Sequence, residues 1–130
     1  MKKILINAKA VIAFVLITIE FPSLTHAQKY DGKYFNNLNA DGVIINGYDA
    51  VAFFTDNKPV KGDAKFQYSY DDAIYYFTSQ EHLDMFKANP EKYKVQFGGW
   101  CAYAVSLGRV APIDVNTFSI ANNRLLIQHN

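Results

Sequence analysis

The chain has 130 residues, carries 13 Lys and Arg against 12 Asp and Glu, and is 50% hydrophobic. This apolar content argues against a disordered chain, and the absence of a basic excess argues against nucleic acid as a partner. The single cysteine excludes an internal disulfide and leaves a free thiol, a ligand or an intermolecular bridge.

The first 27 residues have the pattern of a secretory signal peptide. Lys2 and Lys3 precede an apolar run, and the small-residue sequence THA ends at Ala27. The run is about ten residues long, about half of what a membrane-spanning helix needs. We therefore expect cleavage after Ala27, contact with the membrane only during export, and a periplasmic or secreted mature chain. An uncleaved anchor is the alternative.

The segment after the signal predicts a polar lead into one folded domain. Residues 28–42 are asparagine-rich and predict a loose N-terminal arm, and the domain is expected at residues 43–130. A short strand is predicted at residues 43–45. The apolar sequence DAVAFF, at residues 49–54, is predicted to be buried. No internal repeat is evident from the sequence.

Two β-hairpins are predicted. In KFQYSYDDAIYYFTS, at residues 65–79, aromatic and polar residues alternate on both sides of Asp71 and Asp72. In the C-terminal sequence NTFSIANNRLLIQHN, two β-rich runs flank an Asn-Asn pair that tolerates positive φ.

Two helices complete the predicted fold. TSQEHLDMFKANP, at residues 78–90, fits a capping box formed by Thr78 and Glu81, and Pro90 ends this helix and can start a further turn. The sequence WCAYAVSLG, after a double glycine, predicts a short second helix that ends at Gly108. The fold class is therefore α+β: a small single domain with two β-hairpins, a capped helix and a short second helix.

Four motifs in this order resemble those of exported bacterial proteins with a YHS domain. They are GYDAVAFF, NKPVKG, YYFTSQEHLDMFKANPEKY and FGGWCAYAVSLG, and the resemblance runs from about residue 47 to the end. It implies a small α+β unit, distantly similar to short metal-binding domains found beside copper and heavy-metal transporters. Relatives continue past the last strand with a helical tail, and residues 43–130 are expected to lack that tail.

The resemblance also shows which ligands differ here. Metal-binding members have a cysteine in a DPVCG-like turn, where this chain reads DAVA at residues 49–52. They have a CSxxC motif at the start of the helix, where this chain has Thr78 and His82 in place of the two cysteines. The resemblance therefore leaves His82 and Cys101 as the candidate metal ligands.

The chemistry of these two residues suits copper or zinc. If Cys101 lies in the first turn of the short helix, the positive end of the helix dipole stabilises a thiolate. The same dipole disfavours a charged imidazolium at His82 and leaves a ring that can bind metal. Thiolate and imidazole suit Cu(I) or Zn(II), and Asp49 in the GYD turn is a candidate third ligand. His129 is another, but nothing in the sequence fixes its position.

Each candidate has an ordinary structural alternative. Cys101 would then be a buried packing residue, and His82 a surface or satisfied histidine. Four aromatic residues are candidates for a ligand cleft, with the rim of a core as the alternative: Tyr48, Tyr76, Trp100 and Tyr103.

The function expected from the sequence is an exported small binding module for a metal ion or a metal-linked partner, such as another exported protein. A thiol redox protein that uses Cys101 is the first alternative, and a structural or interaction domain without metal is the second. The sequence has no CxxC, HExxH, P-loop or GxSxG motif, so an enzyme is the less favoured class. The last strand, RLLIQ at residues 124–128, has no visible cover, which predicts self-association through that edge.

Overall fold

A computed structural model describes residues 35–130. The expected signal peptide, residues 1–27, and the first part of the expected arm lie outside the described residues. The described part is a small α+β fold with two antiparallel hairpin sheets and a few short helices, which confirms the predicted fold class. Within residues 35–130, no helix has the length and apolar character needed to cross a bilayer.

The elements follow one another in an order that repeats a pattern of turn, short helix and hairpin. They are a 3-10 turn at Ile45–Gly47, α1 at Ala52–Thr55, β1 at Asp63–Tyr70, β2 at Ala73–Phe77, α2 at Gln80–Ala88, α3 at Pro90–Tyr93, a second 3-10 turn at Gln96–Gly99, α4 at Ala102–Ser106, β3 at Asp114–Ala121 and β4 at Arg124–Gln128. Pro90 opens α3 as predicted. The predicted strand at residues 43–45 is wrong: Val43 and Ile44 make single β-bridges, and Ile45 begins the 3-10 turn at φ 55°.

Both hairpins close with a two-residue turn. Asp71 and Asp72 have φ values of 52° and 60°, and Asn122 and Asn123 have 52° and 59°. Two consecutive residues with positive φ are typical of a type I′ turn, whose twist matches that of the flanking strands. Asp and Asn tolerate this conformation better than other non-glycine residues. The two predicted hairpins are therefore confirmed.

Phe86 is the centre of the contact between α2 and the first hairpin. Its ring lies 4.5 Å from the ring of Tyr75 and 5.2 Å from that of Phe77, centre to centre. On the other side of the core, Phe53 of α1 packs edge-on against Phe118 of β3 at 4.9 Å. Phe53, Phe77 and Phe86 are fully buried, so the apolar segment predicted from DAVAFF lies in the core that both hairpins share.

The two hairpins have the same design. Each has an eight-residue strand, a two-residue turn and a five-residue strand. Asp63 pairs with Phe77 and Asp114 with Gln128, and every pairing of the second hairpin is one of the first shifted by 51 positions. Even the shift in register is shared, since it follows an aspartate in each, at Asp63 and Asp114. The second hairpin is thus a structural copy of the first.

The segments before the hairpins repeat as well. GYDAVA at residues 47–52 aligns with GWCAYA at residues 99–104, so Asp49 and Cys101 are equivalent positions. The backbone N–H of Asp49 donates to the Val60 carbonyl at 2.8 Å, and that of Cys101 donates to the Ala111 carbonyl at 3.0 Å. The structure therefore shows an internal repeat that was not evident from the sequence. The two copies share few side chains, so the sequence does not reveal the repeat. They do share the geometry of the turns and hairpins.

Two other expectations change at the edges of the domain. Residues 35–42 are not a loose arm, because the Asn37 N–H donates to the Gly98 carbonyl at 2.7 Å and its side-chain amide donates to the Gly99 carbonyl at 3.1 Å. Strand β4 is not without cover, because Leu125 forms a parallel bridge with Val95 on the side away from β3. Self-association through β4 stays a prediction.

Candidate functional site

Asp49 is a fully buried carboxylate that accepts hydrogen bonds from three separate parts of the chain. Oδ1 accepts from the backbone N–H groups of Val51 at 2.8 Å and Ala52 at 3.2 Å. Oδ2 accepts from the Thr78 N–H at 2.9 Å and the Thr78 hydroxyl at 2.8 Å. Buried carboxylates are expensive unless their oxygens are satisfied, and here both oxygens are.

His82 supplies the fifth contact of this carboxylate. Its Nδ1 lies 2.6 Å from Asp49 Oδ2. An ionised carboxylate accepts and cannot donate, so this contact places a proton on Nδ1. Nε2 has no hydrogen-bond partner among residues 35–130, and the His82 side chain is 15% exposed. The ring is therefore held by one nitrogen and presents the other.

The start of α2 differs from the predicted capping box. Ser79 is the N-cap, and its hydroxyl accepts from the His82 N–H at 3.2 Å. Thr78, which the sequence pattern assigned to the cap, turns its hydroxyl to Asp49 instead. One serine thus starts the helix, while the neighbouring threonine and the third helical residue form the site.

Cys101 lies in the second copy of the repeat, at the N-cap of α4 rather than in its first turn. It is a free thiol that is 3% exposed, and its Sγ accepts from the His129 N–H at 3.3 Å. In the first copy, the equivalent contact is that of the Thr78 N–H with Asp49, and these residues lie 51 and 52 positions before His129 and Cys101. The repeat therefore explains the place of Cys101: it faces the end of its own hairpin.

The three predicted ligands do not converge. Asp49 and His82 are in contact, but across residues 35–130 no three His, Cys, Asp or Glu side chains lie close enough together to hold one metal ion. Cys101 is consequently not a third member beside Asp49 and His82. His129, the further candidate whose position the sequence does not fix, contacts Cys101 through its backbone N–H and not through its ring.

The four aromatic candidates do not form a common cleft. Tyr48 and Tyr76 lie around Gly47 in the first copy, where the Lys61 ammonium is 4.8 Å from the centre of the Tyr48 ring. Trp100 donates its indole N–H to the Phe35 carbonyl, and Tyr103 is 65% exposed on α4. One pocket of about 90 Å³ has none of these four in its lining, which is Asn36, Ile44, Asp71, Ala73, Tyr75, Lys94, Val95, Gln96, Phe97 and Gly98.

Thr78 is the site residue that sequence reasoning missed. Two signals pointed to it: it stands where the resembling metal-binding proteins have a cysteine, and it lies four residues before His82. Because a Thr followed three residues later by Glu also fits a helix cap, the pattern alone favoured the commoner role.

Comparison with known protein families finds a YHS domain at residues 51–96. This match is consistent with a metal-binding module. The matched segment contains Thr78 and His82, begins two residues after Asp49 and ends before Cys101. No curated protein and no solved structure matches the chain.

Proposed function

We propose that the chain is an exported metal-binding module in which His82 Nε2 is the ligand and Asp49 and Thr78 orient it. The observation that carries the proposal is the 2.6 Å contact between Asp49 Oδ2 and His82 Nδ1, which leaves Nε2 without a partner among residues 35–130. Histidines that ligate metals almost always donate their other ring N–H to a carboxylate, a carbonyl or a water. The Asp49–His82 pair has this arrangement.

The donor set fits copper or zinc. A neutral imidazole suits both metals, and a carboxylate hydrogen-bonded to one ring nitrogen raises the basicity of the other nitrogen as a metal ligand. Thr78 helps by donating its hydroxyl to the same carboxylate oxygen at 2.8 Å. The resemblance supports the location, because Thr78 and His82 stand where metal-binding relatives have two cysteines. When bound, the metal would supply a Lewis-acidic, exchangeable centre, and these residues would hold the ring that ligates it.

The test is a titration of the purified chain with Zn(II) and with Cu(I), followed by NMR of the histidine ring nitrogens. We expect one ring with a protonated Nδ1 whose Nε2 signal shifts on adding metal. His82→Gln should remove the binding, and Thr78→Val should weaken it by roughly tenfold, as loss of outer-shell partners does.

His129→Gln is the matched control, because His129 is exposed and, among residues 35–130, its hydrogen bond comes from its backbone N–H and not from its ring. It should leave the affinity unchanged. Equal losses in the two histidine variants, or metal binding that survives in His82→Gln, would contradict the proposal. If no metal binds at all, the reading as a structural or interaction domain is favoured.

Export is the second part of the proposal. It is supported by the basic and apolar segments of residues 1–27 and by the small residues that end at Ala27. The mass of the protein recovered from the periplasm or medium should correspond to a chain that starts at Gln28. Recovery of the full-length chain in the membrane fraction would contradict cleavage.

The thiol redox alternative has weaker support. A reactive cysteine needs access to its partner, and Cys101 is 3% exposed with its sulfur covered by the His129 N–H. Its position follows from the repeat, in which it is the counterpart of Asp49. The metal-binding proposal therefore rests on His82, and Cys101 is left out of the ligand set.

A further inference from the structure

The pocket of about 90 Å³ is separate from the Asp49–His82 pair, neither of which belongs to its lining. Three segments that are distant in the sequence form it. Asn36 comes from the segment that leads into the domain, Asp71 from the turn of the first hairpin, and residues 94–98 from the end of α3 and the second 3-10 turn. The pocket therefore depends on the tertiary fold and has no counterpart in a local sequence motif.

Hydrogen bonds join the three segments, so the pocket is formed without a ligand. Asn36 Nδ2 donates to the Asp71 carbonyl at 2.7 Å, and the Asn37 N–H donates to the Gly98 carbonyl at 2.7 Å. Gly98 has a φ of 62°, and a Cβ there would meet Asn36 Oδ1 at 2.9 Å, so glycine allows the two segments to approach this closely. A site that is formed in advance loses less conformational entropy when it binds.

Tyr75 contributes a hydroxyl group that lacks an acceptor. The residue is 3% exposed, and its ring packs against Phe86. Burial raises the pKa of Tyr75 above its usual value, and the Val95 backbone lowers it to a smaller extent, so the hydroxyl stays protonated. Its proton has no acceptor among residues 35–130, and no completely enclosed polar side-chain atom in that range lacks a partner. The hydroxyl must therefore open into the pocket that Tyr75 lines, where it favours a ligand that accepts a hydrogen bond.

Two charged side chains of opposite sign, Lys94 and Asp71, also line the pocket. Lys94 Nζ lies 2.8 Å from Glu91 Oε2, which partly balances its charge and leaves two of its three N–H groups for a ligand. Asn36 bonds to the backbone carbonyl of Asp71, and the Asp71 carboxylate has no hydrogen bond or ion pair of its own among residues 35–130. A simple anion would face this carboxylate, and a simple cation would leave the Tyr75 proton without an acceptor. A molecule that carries both charges satisfies both groups.

We propose that this pocket binds a small α-amino acid in its zwitterionic form. The carboxylate of the ligand accepts from the Tyr75 hydroxyl and from a free N–H of Lys94, and its ammonium group donates to the Asp71 carboxylate. The volume of about 90 Å³ is far below the roughly 300–1,000 Å³ of sites for drug-sized ligands, so the ligand has few non-hydrogen atoms, as glycine and alanine do. The site does not involve His82, so it is independent of the proposed function.

The experiment titrates glycine into the purified, nitrogen-15-labelled chain and follows the backbone amide signals of Gln96 and Gly98. Acetate and methylammonium, which each carry one of the two charges, are titrated in parallel, and leucine tests the limit on size. We expect saturable shifts with glycine and affinities at least about tenfold lower for the other three compounds. Tyr75→Phe keeps the packed ring and Asp71→Asn keeps the turn, and each should weaken glycine binding by about tenfold, as loss of a hydrogen bond to a charged group does.

Tyr76→Phe and Asp72→Asn are the matched controls, because each is the chain neighbour of a lining residue and is not itself in the lining. They should leave the affinity for glycine unchanged. Equal affinities for acetate and glycine would indicate an anion site and would overturn the proposal. The absence of any shift with glycine up to about 100 mM would also overturn it and would mean that water alone fills the pocket. If Tyr75→Phe does not fold, the comparison of Asp71→Asn with Asp72→Asn decides.

Discussion

At the scale of residues, Asp49 is the group on which the most contacts depend. Its carboxylate connects the start of α1, the end of β2 and the first turn of α2, whose bonded residues lie up to 33 positions from Asp49 in the sequence. Each of these elements is short, with four, five and nine residues. The side chain therefore has a structural role that exists with or without a metal.

Asp49→Asn should lower the free energy of unfolding by about 3 kcal/mol, because an amide nitrogen would face donors where a carboxylate oxygen accepted them, and the buried partners would be left unpaired. Urea unfolding measures the change. Asp84→Asn is the matched control: Asp84 is exposed on α2 and should change stability by less than about 0.5 kcal/mol. If both variants lower the free energy of unfolding by the same amount, the buried hydrogen bonds of Asp49 do not stabilise the fold more than an exposed aspartate does.

Cys101 should react slowly in the native protein. Its thiol is 3% exposed and lies under the backbone of His129, so a reagent must wait for the end of the chain to move. We expect alkylation to be slower than that of a small free thiol, and to accelerate in urea to the rate of the unfolded chain. Rapid alkylation without denaturant would contradict this prediction and would favour the hypothesis of a thiol redox protein that uses Cys101.

At the scale of elements, the start of α2 divides two tasks between neighbouring residues. Ser79 accepts from the backbone of the first turn, while Thr78 accepts nothing there and donates to Asp49. A helix of nine residues depends on such a cap, because isolated short helices are marginal in water.

Ser79→Ala should reduce the free energy of unfolding by about 1 kcal/mol through the lost cap. The same substitution at Ser69, exposed on β1, is the control and should cost less than about 0.5 kcal/mol. Chemical denaturation of both variants provides the comparison. A smaller loss for Ser79→Ala than for Ser69→Ala would mean that another residue caps α2.

The link between the first hairpin and α3 should be sensitive to high pH. The Tyr70 hydroxyl donates to the Glu91 carboxylate, and this hydrogen bond, with some burial, raises the pKa of Tyr70 from 10.0 to about 12. Lys94 and then Tyr70 lower the pKa of Glu91 by hydrogen bonding to it. Because the folded pKa of Tyr70 is the higher one, its contribution to stability is complete below pH 10 and is lost as pH rises to about 12.

The measurement is unfolding in urea at a series of alkaline pH values, with Tyr70→Phe as the comparison. The natural chain should lose more stability than the variant between pH 10 and about 12. Parallel curves for the two proteins over that range would show that the Tyr70–Glu91 hydrogen bond does not stabilise the fold.

At the scale of the whole molecule, local patterns predicted the elements, and distant contacts decided the site. The Asp-Asp and Asn-Asn pairs revealed both hairpins because a two-residue turn with positive φ favours those residues. Pro90 marked the start of α3 because its fixed φ suits a first helical position. These signals act within a few residues and could be interpreted from the sequence alone.

The predictions of the site that were wrong concern residues whose contacts are long-range. Nothing near Thr78 shows that its hydroxyl bonds to a carboxylate 29 positions earlier. Nothing near Cys101 shows that it belongs to a different copy of the repeat from His82. The resemblance pointed to His82, and Asp49 was chosen by its residue type and its place in the GYD turn. The contact between them, and the distance of Cys101 from both, depend on tertiary packing that the sequence around each residue does not show.

The contact between Trp100 and the Phe35 carbonyl has a practical consequence. Trp100 is the single tryptophan of the chain, and its indole N–H bonds to the segment of residues 35–42 that leads into the domain. Its fluorescence therefore reports whether that segment is docked, and circular dichroism reports the hairpins and helices. If the emission changes at a lower urea concentration than the dichroism, the segment is released before the domain unfolds, and the protein does not unfold in a two-state manner. If the two transitions coincide, the segment and both copies of the repeat unfold together as one cooperative unit. The intrinsic fluorescence of Trp100 then follows unfolding of the whole domain without an added dye.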